Sequence, residues 1–249
     1  MMLAKKLKNA PLKEAIFELF WQLPLDPTNF PTDPDFSLAV GKFQDLIKDT
    51  YPVYKSLDIP GNAVRIYPKP SYQFRKGELE WPVVQLGQGI LTVNDTDKNY
   101  IWEDNYRPNI VKAIDVLLKS YEHQPKFNRV KLTYIDAAEY DPQLQAPSEF
   151  IAENLLTSIK TSYEFPGKEN SVWINKSFHS DDIGSFQINI QNGINNADGK
   201  PSIIWTTAVE ESKNFTREEV LAWLDKAHTI TSSFFVKMLN PKFYESFNR

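Results

Sequence analysis

The chain has 249 residues, 41% hydrophobic and 24% charged, with a formal net charge of -4 and no cysteine. Such a composition can bury a sizeable core as one large or two small domains, and it is far from that of disordered chains. The charge gives no general reason to seek phosphate backbones, and the missing thiols exclude disulfides, cysteine nucleophiles and cysteine-held zinc or iron–sulfur sites.

Met1 to Lys13 is too short and too charged for a secretory apolar region, and no stretch approaches the ~20 apolar residues that cross a bilayer. The expectation is a cytoplasmic protein away from membranes, with unused sequons at Asn94, Asn175 and Asn214. Lys5, Lys6, Lys8 and Lys13 read as a solvated terminus.

Ala15 to Leu23 reads as a strand, with Ala15, Phe17, Leu19, Trp21 and Leu23 on one face at period two. Ile16, Glu18, Phe20 and Gln22 share the other face, which is therefore partly covered. A helix is expected from Pro34, capped by Asp33, with the stripe Phe36, Ala39, Val40, Phe43 and Ile47, and Pro52 stops it. Strands follow at Val53 to Leu57, Val64 to Tyr67, Tyr72 to Arg75 and Val83 to Val93, parted by Pro-Gly and Lys-Gly turns. A second helix carries Ile110, Val111, Ile114, Leu117, Leu118 and Tyr121; Pro108 suits its first turn, which leaves Trp102 to Arg107 as a separate turn.

The order then begins again. Arg129 to Ala138 is a strand with Val130, Leu132 and Tyr134 on one face. A helix from Pro147 places Phe150, Ile151, Leu155 and Ile159 inward. Strands at Val172 to Phe178, Phe186 to Ile190 and Ile203 to Val209 lead to a last helix opened by the Thr216/Glu219 capping box. That helix runs through Val220, Leu224, Ala227, Ile230, Phe234 and Met238 to Asn240-Pro241.

A constant offset of about 113 residues, without gaps, aligns the two passes. Phe17, Leu19 and Trp21 fall on Val130, Leu132 and Tyr134. Leu38, Phe43 and Leu46 fall on Ile151, Leu156 and Ile159, and Val111, Ile114, Leu117 and Tyr121 on Leu224, Ala227, Ile230 and Phe234. The expectation is an α+β fold of two tandem β-α-β(3-4)-α units, residues 1–124 and 125–249, with superposable cores at 14–121 and 128–239. Antiparallel sheet with helices on one face would resemble the TATA-binding-protein saddle or a helix-grip arrangement. A single irregular α+β domain is the competing reading.

Three stretches resemble a bacterial family of uncharacterised proteins known for sporadic distribution. They are Asn9-Ala10-Pro11-Leu12 with Glu14 to Glu18, Val84 to Asn94 followed by Tyr100 and Trp102, and Arg129-Val130 with Leu132 and Tyr134-Ile135-Asp136. A final helix bearing His228 completes the likeness. The resemblance implies a prokaryotic source and patchy inheritance, as in mobile or defence-linked systems, and it carries no activity and no functional residue.

Gly87-Gln88-Gly89 resembles the start of a phosphate loop, but the strand-like Ile90 to Val93 follows where a helix is needed, so a bulge or close backbone approach is expected. His179, Asp181 and Asp182 carry metal-ligand chemistry, but Ser180 to Gly184 reads better as an ordinary polar turn between two strands, so an exposed turn without metal is expected. His228 borders the apolar stripe of the last helix, as a general base, a pH switch or a structural histidine. Glu14 and Glu18 share a face with Gln22, but a catalytic carboxylate pair needs a set separation across a cleft, which spacing along one strand does not supply. A serine triad could draw only on His123, His179 or His228, and no Gly-x-Ser-x-Gly elbow accompanies them. The tail aromatics Phe243, Tyr244 and Phe247 either fold back as a lid or dock a partner.

No catalytic residue, metal ligand or cofactor is therefore assigned, and His228, Phe243, Tyr244 and Phe247 are the candidate ligand or partner contacts. The functional expectation is a non-catalytic module that holds a protein partner or a second copy, with nucleic acid disfavoured. The alternative is a small-ligand binder or enzyme with a pocket between sheet and helices near His228.

Overall fold

The computed structural model describes residues 7–57, 68–96, 100–159, 166–195 and 199–248; Lys5, Lys6 and the expected strand Val64 to Tyr67 lie outside them. The fold is α+β. Its strands are β1 (Leu12–Trp21), β2 (Val53–Ser56), β3 (Tyr72–Arg75), β4 (Val83–Gly87), β5 (Ile90–Asp95), β6 (Phe127–Glu139), β7 (Trp173–Ser180), β8 (Gly184–Ile194) and β9 (Pro201–Phe215). The helices are α1 (Phe36–Ile47), α2 (Arg107–Ser120), α3 (Pro147–Asn154), α4 (Arg217–Met238) and α5 (Pro241–Ser246). The strands hydrogen-bond in the order β2-β3-β4-β5-β1-β6-β9-β8-β7. The pairs β2/β3, β3/β4, β4/β5, β5/β1 and β7/β8 are antiparallel.

Two compact units can be distinguished, and each draws on separate stretches of chain. One comprises residues 14–132 and 210–224, the other residues 1–13, 133–209 and 225–249.

In the first unit, period two along β1 buries Ala15, Phe17, Leu19 and Trp21, as the sequence predicts. Cross-strand pairing sets Phe17 beside Val93 and Leu19 beside Leu91. Helix α1 lays Phe36, Ala39, Val40, Phe43 and Ile47 into the same core, where Phe43 meets Phe74 with ring centroids 5.0 Å apart. Helix α2 adds Ile110, Ile114 and Leu117, also fully buried. Each such side chain contributes about 1.5–3 kcal/mol by leaving water. Val111 and Leu118 are only half-buried, because the inward face of α2 is centred on Ala113, Val116 and Leu117.

Three local expectations are corrected here. Helix α1 starts at Phe36 rather than Pro34, and Asp33 does not cap it. The Asp33 carboxylate instead accepts from the Asp35 amide at 3.2 Å and the Tyr121 hydroxyl at 2.6 Å, a tie across 88 residues that outweighs the local cap. The stretch Val83 to Val93 is a hairpin, turning at Gln88-Gly89 with Gly89 at φ 76°, so the bulge is replaced by a tight turn. The other expectation for this motif, close backbone approach, is met at Gly87, where a Cβ would stand 2.0 Å from the Lys69 carbonyl oxygen. The separate turn expected at Trp102 to Arg107 is a π-helical turn, Trp102–Tyr106, that runs directly into α2 with Pro108 in its first turn.

In the second unit, Ile188, Ile190, Ile203 and Trp205 form the strand side of the core, and Phe186 meets Phe234 of α4 at 5.1 Å. The start of α4 belongs to the first unit, and its capping box forms as expected: the Thr216 amide donates to Glu219 Oε2 (2.7 Å) and the Glu219 amide to Thr216 Oγ1 (3.2 Å). Helix α3 buries Phe150 and Ile151 but ends at Asn154, leaving Ile159 beyond it and 59% exposed. The gap-free offset therefore fails in the first helices. Buried Phe43 falls on exposed Leu156, and buried Ile151 on exposed Leu38. A helix of 8 residues has no positions to match the later turns of one with 12.

Candidate functional site

On the strand face that carries Glu18, polar side chains line up across neighbouring strands. Register sets Gln85 opposite Thr92 and Thr92 opposite Glu18. Thr92 Oγ1 lies 3.1 Å from Gln85 Oε1 and 2.9 Å from Asn94 Oδ1, and Asn94 Nδ2 donates to Glu14 Oε1 at 2.9 Å. Glu14 and Glu18 are thus used separately rather than as a pair. Lys131 Nζ stands 3.8 Å from Glu18 and 4.0 Å from Glu210, and Arg129 stands 3.8 Å from Glu210. These separations exceed direct hydrogen bonds, so the attraction is chiefly coulombic. The Arg129 guanidinium also lies 3.7 Å from the Phe20 ring centroid. Burial pushes the Glu18 carboxyl up, Lys131 and Arg129 pull it back, and Glu210 raises it again. Two cations and two carboxylates in one row compensate each other, which suits a preorganised surface more than a proton-transfer centre.

A second polar network lies inside the same unit. Tyr51 Oη donates to Asn109 Oδ1 (2.6 Å), and Asn109 Nδ2 to the Asn105 carbonyl (2.6 Å). Asn105 Nδ2 reaches the buried Asp95 at 3.4 Å. Burial, reinforced by Asp95, pushes the Tyr51 phenol up, so it stays a neutral donor. The network ties the π-helical turn to α2 and to the end of β5.

In the same unit, α1 and α2 frame an open groove of about 570 Å³. Its lining from α2 is Arg107, Pro108, Val111, Lys112, Asp115, Val116 and Lys119, and α1 adds Leu46. Leu46 is 46% exposed. Asp115 is held by Arg217, Nε to Oδ1 at 2.6 Å, which leaves the lining dominated by positive charge. The groove escaped sequence reading because Leu46 and α2 are some 60 residues apart; the stripe at 108, 111/112, 115/116 and 119 was the available signal.

In the other unit, His228 Nδ1 is hydrogen-bonded to the Tyr134 hydroxyl at 3.0 Å. Burial holds the imidazole down at about 4, with Asp225 opposing, so His228 is neutral near pH 7. Two residues along β6 from Tyr134, the fully buried Asp136 has its carboxyl pushed up to about 7 by burial, partly offset by Lys13. The structure therefore gives His228 a phenol partner and places a carboxyl of neutral-range pKa on the same strand face.

His179, Asp181 and Asp182 sit at the β7/β8 turn, where His179 Nε2 and Asp181 Oδ1 are 3.8 Å apart and largely solvated. Among the described residues no group of three His, Cys, Asp or Glu is placed to hold a metal ion. The tail forms α5 and folds onto its own unit. Phe243 meets Phe150 at 5.7 Å and Phe247 at 4.9 Å, Tyr244 meets Phe235 at 6.2 Å, and the Asn9 amide donates to the Phe247 carbonyl at 2.8 Å. All three aromatics are half-buried. Replacing Phe243, Tyr244 and Phe247 together with Ser is accordingly expected to lower Tm by several degrees, at ~2–4 °C per kcal/mol for a chain of this size. An unchanged melting curve would remove the lid role.

Among the described residues no helix is long and apolar enough to cross a membrane. No protein-family model matches the chain, and no curated protein sequence matches it significantly, so the functional reading rests on this geometry.

Proposed function

We propose that this protein is a non-catalytic binding module that holds another protein, and that the α1/α2 groove is where it does so. The observation that carries the reading is an open groove of about 570 Å³ whose accessible apolar lining is Leu46, Pro108 and Val111, with cations along it. Exposed apolar surface rimmed by polar groups is characteristic of protein-interaction sites. The mobile or defence-linked bacterial setting of the resembled family belongs to the same proposal.

The tandem-duplication reading, with its likeness to the TATA-binding-protein saddle, is also proposed. It is supported by strand order: outward from the middle, one half runs β1-β5-β4-β3-β2 and the other β6-β9-β8-β7, so each opening strand neighbours the last strand of its own half. Matched burial of Phe17 with Val130, Leu19 with Leu132 and Ile114 with Ala227 supports it as well.

The binding role is tested by placing a benzophenone amino acid at position 46 and irradiating the protein in its native cell. A discrete adduct with one other polypeptide, missing when the photoreactive group is placed at exposed position 144, is expected. Equal, diffuse labelling from both positions would sink the reading.

A further inference from the structure

The geometry points to an acidic amphipathic helix as the occupant of the α1/α2 groove: the groove's apolar strip takes that helix's leucines and Lys112 and Lys119 take its carboxylates. This rests on the binding-module reading and names the partner's chemistry.

The groove follows α2 from Arg107 to Lys119, twelve residues or ~18 Å of helix at 1.5 Å per residue. A partner helix of about three to four turns would span it. The α2 side is one stripe at helical spacing, Pro108, Val111/Lys112, Asp115/Val116 and Lys119, and Leu46 of α1 faces it. Such a surface, apolar residues between two helices, is what an amphipathic helix buries itself against. Lys112 and Lys119 are seven residues apart, two helical turns, and both are exposed. Two carboxylates separated by seven residues on a helix lying alongside would meet them at the same ~10 Å interval.

Charge sets the sign of the partner. Of the charged residues in the lining, Arg107, Lys112 and Lys119 are cationic, and the one carboxylate, Asp115, already has the Arg217 guanidinium against it. The whole protein carries a formal net charge of -4, so this strip departs from the sign of the molecule. A basic helix would be repelled here, whereas an acidic one gains attraction at both lysines.

The test uses the full-length protein and two synthetic helical peptides with identical leucine positions, one with Glu and one with Lys at every charged position. Affinity is read by fluorescence anisotropy at low and high salt. The Leu/Glu peptide is expected to bind about tenfold more tightly than the Leu/Lys peptide, with the difference shrinking in salt. The double change Lys112→Glu and Lys119→Glu should reverse that preference, while Leu46→Asp should weaken both peptides. Circular dichroism of each variant checks the fold, which exposed substitutions should leave intact. Equal affinity for the two peptides, or a preference that survives the charge reversal, would overturn the inference. So would dimerisation of the free protein that the Lys112→Glu and Lys119→Glu changes abolish, since a second copy would then own the groove. Cross-linking to a partner from position 46 without any charge preference would leave the binding reading standing and the acidic helix refuted.

Discussion

Replacing Asp136 with Asn is expected to stabilise the protein at about pH 8 by on the order of 4 kcal/mol, the cost of ionising a carboxyl whose pKa rises by three units on folding. The group moves from 3.8 to about 7 because burial removes the solvent that would support its charge. Between about pH 4 and pH 7 the folded state therefore holds a proton that the unfolded state has lost, and stability falls as pH rises through that window. His228 does the reverse. Its pKa drops from 6.5 to about 4 on burial, so the unfolded state binds the extra proton and stability falls as pH is lowered through that range. The two slopes oppose one another where they overlap, and the wild-type protein should show little pH dependence there from this pair. Each single variant unmasks the other group. Asp136→Asn should lose stability on acidification below about pH 6.5, and His228→Gln should lose it on alkalinisation toward about pH 7. Urea unfolding between about pH 4 and pH 8 reads both. Superimposable profiles for wild type and Asp136→Asn would show that the carboxyl is not perturbed.

Gly87→Ala should be among the most damaging single changes, costing roughly 3 kcal/mol or more, or about 6–12 °C in Tm. The new Cβ would fall 2.0 Å from the Lys69 carbonyl oxygen and 2.7 Å from its carbon. Both are backbone atoms, and the Ser71 amide just beyond them donates to the Leu86 carbonyl at 2.9 Å, so the segment leading into β3 has little freedom to retreat. Gly41 is the control. It lies on the exposed face of α1 with nothing within 4 Å of an added Cβ, and Gly41→Ala should stabilise by ~0.5–1 kcal/mol because Ala loses less backbone entropy in a helix. The same chemical change is thus expected to act with opposite sign at two positions. Equal thermal stability of the two variants would refute the close-approach argument.

Period-two burial along β1, the inward stripe of α1 and the Thr216/Glu219 cap all follow from residues within a few positions of one another. Even the approach at Gly87 was legible as a glycine where a strand required none, although its neighbour Lys69 was not. Asp33 shows the limit: its composition and position suit a helix cap, and a hydroxyl 88 residues away claims it instead. In α3, apolar residues continue past the helix end, so Ile159 kept the spacing of a buried position without a helix to bury it.

The sequence by itself determined the class of fold, the sidedness of its longest elements and the exclusion of thiol chemistry, because hydrophobic period and composition are properties of contiguous chain. Only the tertiary structure decided which polar groups meet. Lys131 reaches Glu18 and Glu210 from a different strand, Tyr134 finds His228 across 94 residues, and Leu46 meets the α2 stripe that gives the groove its charge and floor. Periodicity records that a side chain faces inward or outward but not what lies opposite, since that is set by strand order and helix placement summed over the whole chain.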